Sequence, residues 1–174
     1  SRFKDIVQPS TGDLSKNKKG DDLSEKTKAY IAELIGECFV PDWIDFAGNK
    51  FTDRGNDLEP EARIAFSDYY GGCPVEQVGF CTRDDGVVGC SPDGLIRGPD
   101  GEYWAGLELK CPSPKVHIGW AMDGVLPDEH RVQVHGSMAV TGLNTWHFFS
   151  HFPGLKPFYT VVKRDDYTAR LSTA

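Results

Sequence analysis

The spacing of apolar residues changes along the chain, and each change marks an element. Between Ser24 and Cys38 the apolar positions Ala29, Ile31, Leu34, Ile35 and Cys38 lie on one helical stripe. Ser24 supplies an N-cap, Glu25 an acidic first turn and Pro41 a stop. A second helix is expected over residues 54–70, carrying Ala62, Ile64, Ala65, Phe66 and Tyr69, with Gly71-Gly72 ending it. Short β-prone runs follow: VEQVGFC (75–81), VVGCS (87–91) and YWAGLELK (103–110). Asp85-Gly86, Asp93-Gly94 and Asp100-Gly101 read as tight turns among them. A proline-bearing crossover spans 112–127, and a helix runs from Asp128 to Thr141, where Gly142 stops it. Strands TWHFFSHF (145–152) and FYTVVKR (158–164) complete the pattern. The expected class is α/β or α+β, a central sheet with helices packed on it.

The first residues fit less cleanly. Phe3, Ile6 and Val7 are spaced like the end of a helix, so chain preceding Ser1 is expected. Residues 9–23 are polar and include Lys16, Lys18 and Lys19, which reads as a solvated loop.

Length and composition narrow the class. A chain of 174 residues suits one domain, 1–174. No apolar run approaches the roughly 18 residues of a membrane span, and no leader pattern is visible. Five cysteines, at 38, 73, 81, 90 and 111, form no CxxC pair. That speaks against a disulfide framework and most zinc sites, and fits a reducing cytoplasm. The net charge of −7 would repel a polyanion from the molecule as a whole. Clustered carboxylates at an active site would add to that total, and a local basic stripe is enough to bind one.

The chemistry concentrates in SPDGLIRGPDGEYWAGLELK (91–110). On a strand, Glu108 and Lys110 share one face while Leu107 and Leu109 take the other. Asp93 stands one hairpin earlier, so two carboxylates and a lysine can meet at one sheet end. Converging carboxylates repel unless a cation lies between them, and oxygen donors favour Mg²⁺ or Mn²⁺ over zinc. A metal beside a lysine is what phosphodiester hydrolysis requires. The spacing alone is weak, because a solvated Glu-Leu-Lys strand edge is common.

At these residues the sequence resembles the lambda exonuclease family, also called the YqaJ-type viral recombinase nucleases of the PD-(D/E)xK superfamily. RGNDLEPEAR (54–63), CSPDGL (90–95), GLELKCP (106–112), QVHGSMAVTGLNTWHFF (133–149) and YTVVKRD (159–165) carry the likeness, in the family's order. The resemblance implies a restriction-endonuclease-like core over 50–165, with a central mixed sheet flanked by helices. It implies one or two Mg²⁺ ions, held by Asp93, Glu108 and the Leu109 carbonyl, with Mn²⁺ as substitute. Lys110 becomes the catalytic lysine, Gln133 a holder of the attacking water, and Glu59 a carboxylate near a second metal. Ser91 and Ser1 become contacts to a DNA 5′-phosphate. Arg63 and His135 match helix positions and become further DNA contacts, with Arg63 also open to a structural role and His135 replacing a glutamine common in the family.

The implied activity is 5′-to-3′ resection of linear double-stranded DNA, leaving 3′ tails for a single-strand annealing protein. A ring-shaped homotrimer in the cytoplasm of a phage-bearing host is implied as well. Two family features fall outside the likeness: an arginine-bearing segment before Ser1 and a C-terminal helix beyond the last strand. The competing readings are an endonuclease on the same core and an inactive DNA-binding scaffold. A cluster-bearing Cas4-type enzyme needs three cysteines after the core, and none follows Cys111. Read alone, Glu59 before Pro60 also fits an ordinary first-turn carboxylate. His147 and His151 share a strand face but are not expected to bind metal.

Overall fold

The computed structural model describes residues 50–172, with side chains from Asp57 onward, together with Ala32 and Ile35. Ala32 and Ile35 are helical; the rest of the helix expected over 24–38, the Lys16–Lys19 loop and Ser1 lie outside the described residues. The chain divides into two compact units, Ser1–Ala47 and Gly48–Ala174, and the second holds every element below.

Helix α1 (Lys50–Tyr69) leads into β1 (Val75–Glu76), β2 (Cys81–Thr82), β3 (Gly89–Cys90), β4 (Gly94–Arg97) and β5 (Tyr103–Lys110). Helices α2 (Pro114–Asp123) and α3 (Asp128–Thr141) follow, then β6 (Thr145–Ser150), β7 (Phe158–Lys163) and α4 (Asp166–Ser172). The main sheet has the order β1-β4-β5-β6-β7, with β2 and β3 forming a separate hairpin. Strands β5 and β6 are parallel and every other pair is antiparallel. Only the parallel step needs a long connection, and α2 and α3 provide it.

Two apolar layers sandwich β5. On one face Ala105, Leu107 and Leu109 pack with Ile96, Phe149 and the α1 residues Ala62 and Phe66. On the other, Leu95, Trp146, Phe148 and Phe158 pack with Val134 and Met138 of α3. Gly106 faces this second layer, where a Cβ would stand 2.2 Å from the Trp146 ring, so only glycine admits the indole. Among the described residues no helix is long and apolar enough to cross a membrane. Cys73, Cys81, Cys90 and Cys111 form no disulfide.

Several expectations needed correction. Asp85-Gly86 and Asp100-Gly101 are turns, with Gly86 at φ +69° and Gly101 at φ +87°. Asp93-Gly94 is not: Gly94 opens β4 and pairs with Leu107. The run 75–81 breaks into β1 and β2, and 87–91 keeps only Gly89–Cys90. The crossover contains α2, because Pro114 stands in the first turn, where a missing N–H costs nothing. Helix α1 starts at Lys50, which leaves Glu59 and Pro60 in its interior rather than its first turn. A short helix, α4, does follow the last strand.

Candidate active site

Charged groups gather at the C-terminal end of β5, the middle strand of five. Glu108 lies beside Phe148 in the parallel ladder and is 1% exposed. Its Oε1 accepts from Lys110 Nζ, two residues along the same face. Asp93 stands just before β4 and closes the strand end from the other side, its Oδ2 accepting the Leu109 N–H at 2.7 Å. From α1, Arg63 Nε donates to the Asp93 carbonyl at 3.1 Å. Glu59, one turn earlier, pairs with the Arg63 guanidinium and acts electrostatically on both Asp93 and Lys110.

The electrostatics leave the cluster short of positive charge. Burial pushes the Glu108 carboxyl up to about 7; Lys110 opposes this and Asp93 adds to it. Burial also raises Asp93, with Lys110, the Leu109 N–H and Arg63 pulling down and Glu59 pushing up. Burial disfavours the Lys110 ammonium, yet Glu108, Asp93 and Glu59 together outweigh it and raise its pKa. Lys110 therefore stays charged while both buried carboxyls resist ionising.

A divalent cation suits this imbalance, and the donor set is all oxygen. Among the described residues no three His, Cys, Asp or Glu side chains converge to hold a metal. A cation between Asp93 and Glu108 would complete its shell with the Leu109 carbonyl and water, as magnesium commonly does.

Asp93, Glu108, Leu109, Lys110, Glu59 and Arg63 are thus brought together. Ser91 is exposed two residues before Asp93. Gln133 is half-buried one turn before Ser137 of α3. The Ser137 hydroxyl bonds Cys90, whose thiol feels the Glu108 charge, so this helix face borders the cluster. His135 is elsewhere: it is 4% exposed, its Nδ1 bonds Thr168 Oγ1 at 2.6 Å, and its ring meets Tyr167 edge-on. His147 is buried against Phe66, Tyr70 and Trp104, with Nδ1 on the Tyr159 hydroxyl at 2.8 Å. Sequence reasoning missed Glu61 and His151. They bond each other at 2.9 Å, and His151 N–H reaches the Lys110 carbonyl at 2.8 Å. The only cue was the shared face of His147 and His151; the parallel β5–β6 register that brings His151 to Lys110 has no local signal.

The five-stranded mixed sheet flanked by helices is a restriction-endonuclease-like α+β fold, shared with the alkaline exonucleases. Residues 10–144 match the YqaJ-like viral recombinase domain, and the chain belongs to that family. Among solved structures, the alkaline exonuclease LHK-Exo from Laribacter hongkongensis is similar at 27% identity and a TM-score of 0.77. That match covers 99% of this chain and 80% of that one. A crystal structure of LHK-Exo in complex with dAMP matches over the same shares at 27% identity, with a TM-score of 0.76. A phage-related exonuclease from Haemophilus somnus 129PT shares the fold at 16% identity and a TM-score of 0.72, covering 99% of this chain and 86% of that one. No curated protein sequence matches significantly.

Proposed function

We propose that this chain is a magnesium-dependent exodeoxyribonuclease of the phage type. It degrades linear double-stranded DNA from 5′ ends and leaves 3′ tails for a single-strand annealing protein. Family membership and the likeness to LHK-Exo support a nuclease, and the dAMP complex of that relative supports a deoxynucleotide as the ligand class. The observation that carries the reading is Glu108: a fully buried carboxyl beside Asp93 that its pairing with Lys110 does not keep from rising to about 7, as expected of a ligand that ionises to hold a cation.

In this reading Asp93, Glu108 and the Leu109 carbonyl hold the metal, and Glu59 stands near a second. A bound divalent ion supplies Lewis acidity toward a phosphoryl oxygen and a more acidic water. Lys110, held charged, offsets negative charge developing on the phosphorane. Gln133, from the α3 face bordering Glu108, orients the attacking water. Ser91 and Ser1 contact the 5′-phosphate, while Arg63 fixes the Asp93 backbone. His135, packed on α4, serves the fold rather than the DNA. A cytoplasmic homotrimeric ring of one nuclease domain per chain completes the proposal, with basic residues lining the channel despite the net charge of −7.

One gel tests it, comparing 5′-phosphorylated linear, unphosphorylated linear and circular duplex, each with magnesium and with EDTA. Degradation of linear duplex only, fastest with the phosphate and abolished by EDTA, is expected. Cleavage of circular duplex would support an endonuclease instead, and metal-dependent binding without cleavage would support a scaffold.

A further inference from the structure

Helix α1 is fastened to the sheet on both sides of β5. Ala62 is fully buried in the layer that holds Leu107 and Leu109. Its neighbours Glu61 and Arg63 leave the helix about 100° to either side of it. On one side Arg63 donates to the Asp93 carbonyl. On the other, Glu61 Oε1 bonds His151 Nε2 at 2.9 Å. His151 directly follows β6, the strand parallel to β5, and its backbone N–H bonds the Lys110 carbonyl. The two fasteners therefore end on Asp93 itself and on the residue whose backbone N–H holds the Lys110 carbonyl.

The imidazole is not explained by packing. An ionised carboxylate can only accept, so the bond to Glu61 puts a proton on Nε2, and Nδ1, an acceptor in the neutral ring and a donor in the charged one, needs a partner of its own. That Nδ1 is buried and has no hydrogen-bond partner among the described residues. A buried polar atom left without a bond costs about 1–3 kcal/mol. An apolar side chain of similar size would avoid that cost. What the imidazole adds is the bond to Glu61.

We propose that His151 and Glu61 form a positioning latch. They fix α1 against the end of β5 and so set where Glu59 and Arg63 stand relative to Asp93 and Lys110. The inference rests on the nuclease reading above. His151 touches none of the reacting atoms; it acts through the helix. A misplacement of roughly 1 Å at a reacting centre can cost about 100-fold in rate.

The test measures kcat and KM on 5′-phosphorylated linear duplex for the parental chain, His151→Leu, His151→Gln, Glu61→Ala and the double variant His151→Leu/Glu61→Ala. Assays run where circular dichroism shows each protein fully folded. His151→Leu is expected to lose roughly 10- to 100-fold in kcat with KM within about twofold. The double variant should be no worse than the poorer single variant, because the two side chains act as one unit. His151→Gln, whose amide can donate to Glu61, should recover most of the rate; a purely structural histidine would show no such rescue. A folded His151→Leu at parental kcat, losses that multiply in the double variant, or a glutamine no better than leucine would each overturn the latch. Should His151→Leu fail to fold, Glu61→Ala decides, since its side chain is 55% exposed, and a parental kcat there overturns the latch too. A parental chain that cleaves nothing defeats the nuclease reading first, and the latch with it.

Discussion

The burial of Glu108 makes a prediction about stability that needs no substrate. Its carboxyl is raised from 4.5 to about 7, chiefly by burial. Below pH 4.5 the group is protonated in both folded and unfolded chains and has no effect. Between 4.5 and about 7 the unfolded chain releases the proton and the folded one keeps it, so stability falls as pH rises. Above pH 7 the full cost is present, on the order of 3 kcal/mol at about 1.4 kcal/mol per pKa unit. Glu108→Gln keeps the shape and removes the ionisation. In EDTA it should be more stable than the parental chain by about 3 kcal/mol at pH 8, and by less than about 1 kcal/mol at pH 5. In a unit of this size that is about 10 °C in melting temperature at pH 8. Thermal unfolding followed by circular dichroism at the two pH values measures it. Millimolar magnesium should then raise the melting temperature of the parental chain more than that of the variant. A variant–parent difference that is the same at both pH values, or a variant less stable at pH 8, would refute a buried carboxylate waiting for a cation.

Two further outcomes follow from the same geometry. Lys110→Ala should lower the metal-free melting temperature, because Glu108 and Asp93 lose the ammonium that opposes their burial, and in the folded protein remove most cleavage, roughly 100-fold or more in kcat; retention of near-parental cleavage would show the ammonium has no part in the reaction. Gly106→Ala puts a methyl 2.2 Å from the Trp146 ring and should destabilise the fold by about 1–3 kcal/mol, read from urea unfolding; no loss would mean the indole yields easily.

The site was legible where its signals were local. Alternation along Leu107–Lys110 assigns Glu108 and Lys110 to one face from the sequence alone, and the ladder bears this out. The turn at Asp93-Gly94 was misread because a glycine after aspartate is a turn signal only where φ is positive. Here Gly94 is needed for closeness, since a Cβ would stand 2.5 Å from Val75. Helix α2 was hidden by Pro114, because a proline ends a helix in its interior but starts one at the first turn.

Period and turn chemistry, which depend on neighbours a few residues apart, determined from the sequence by itself the helices α1 and α3 and the strands β5, β6 and β7, along with the alternation on β5. Which strands lie side by side depends on pairing across dozens of residues, and no local pattern encodes it. Tertiary structure alone decided that β6 runs parallel to β5, that burial raises Glu108, and that Glu61 of α1 reaches His151 ninety positions later.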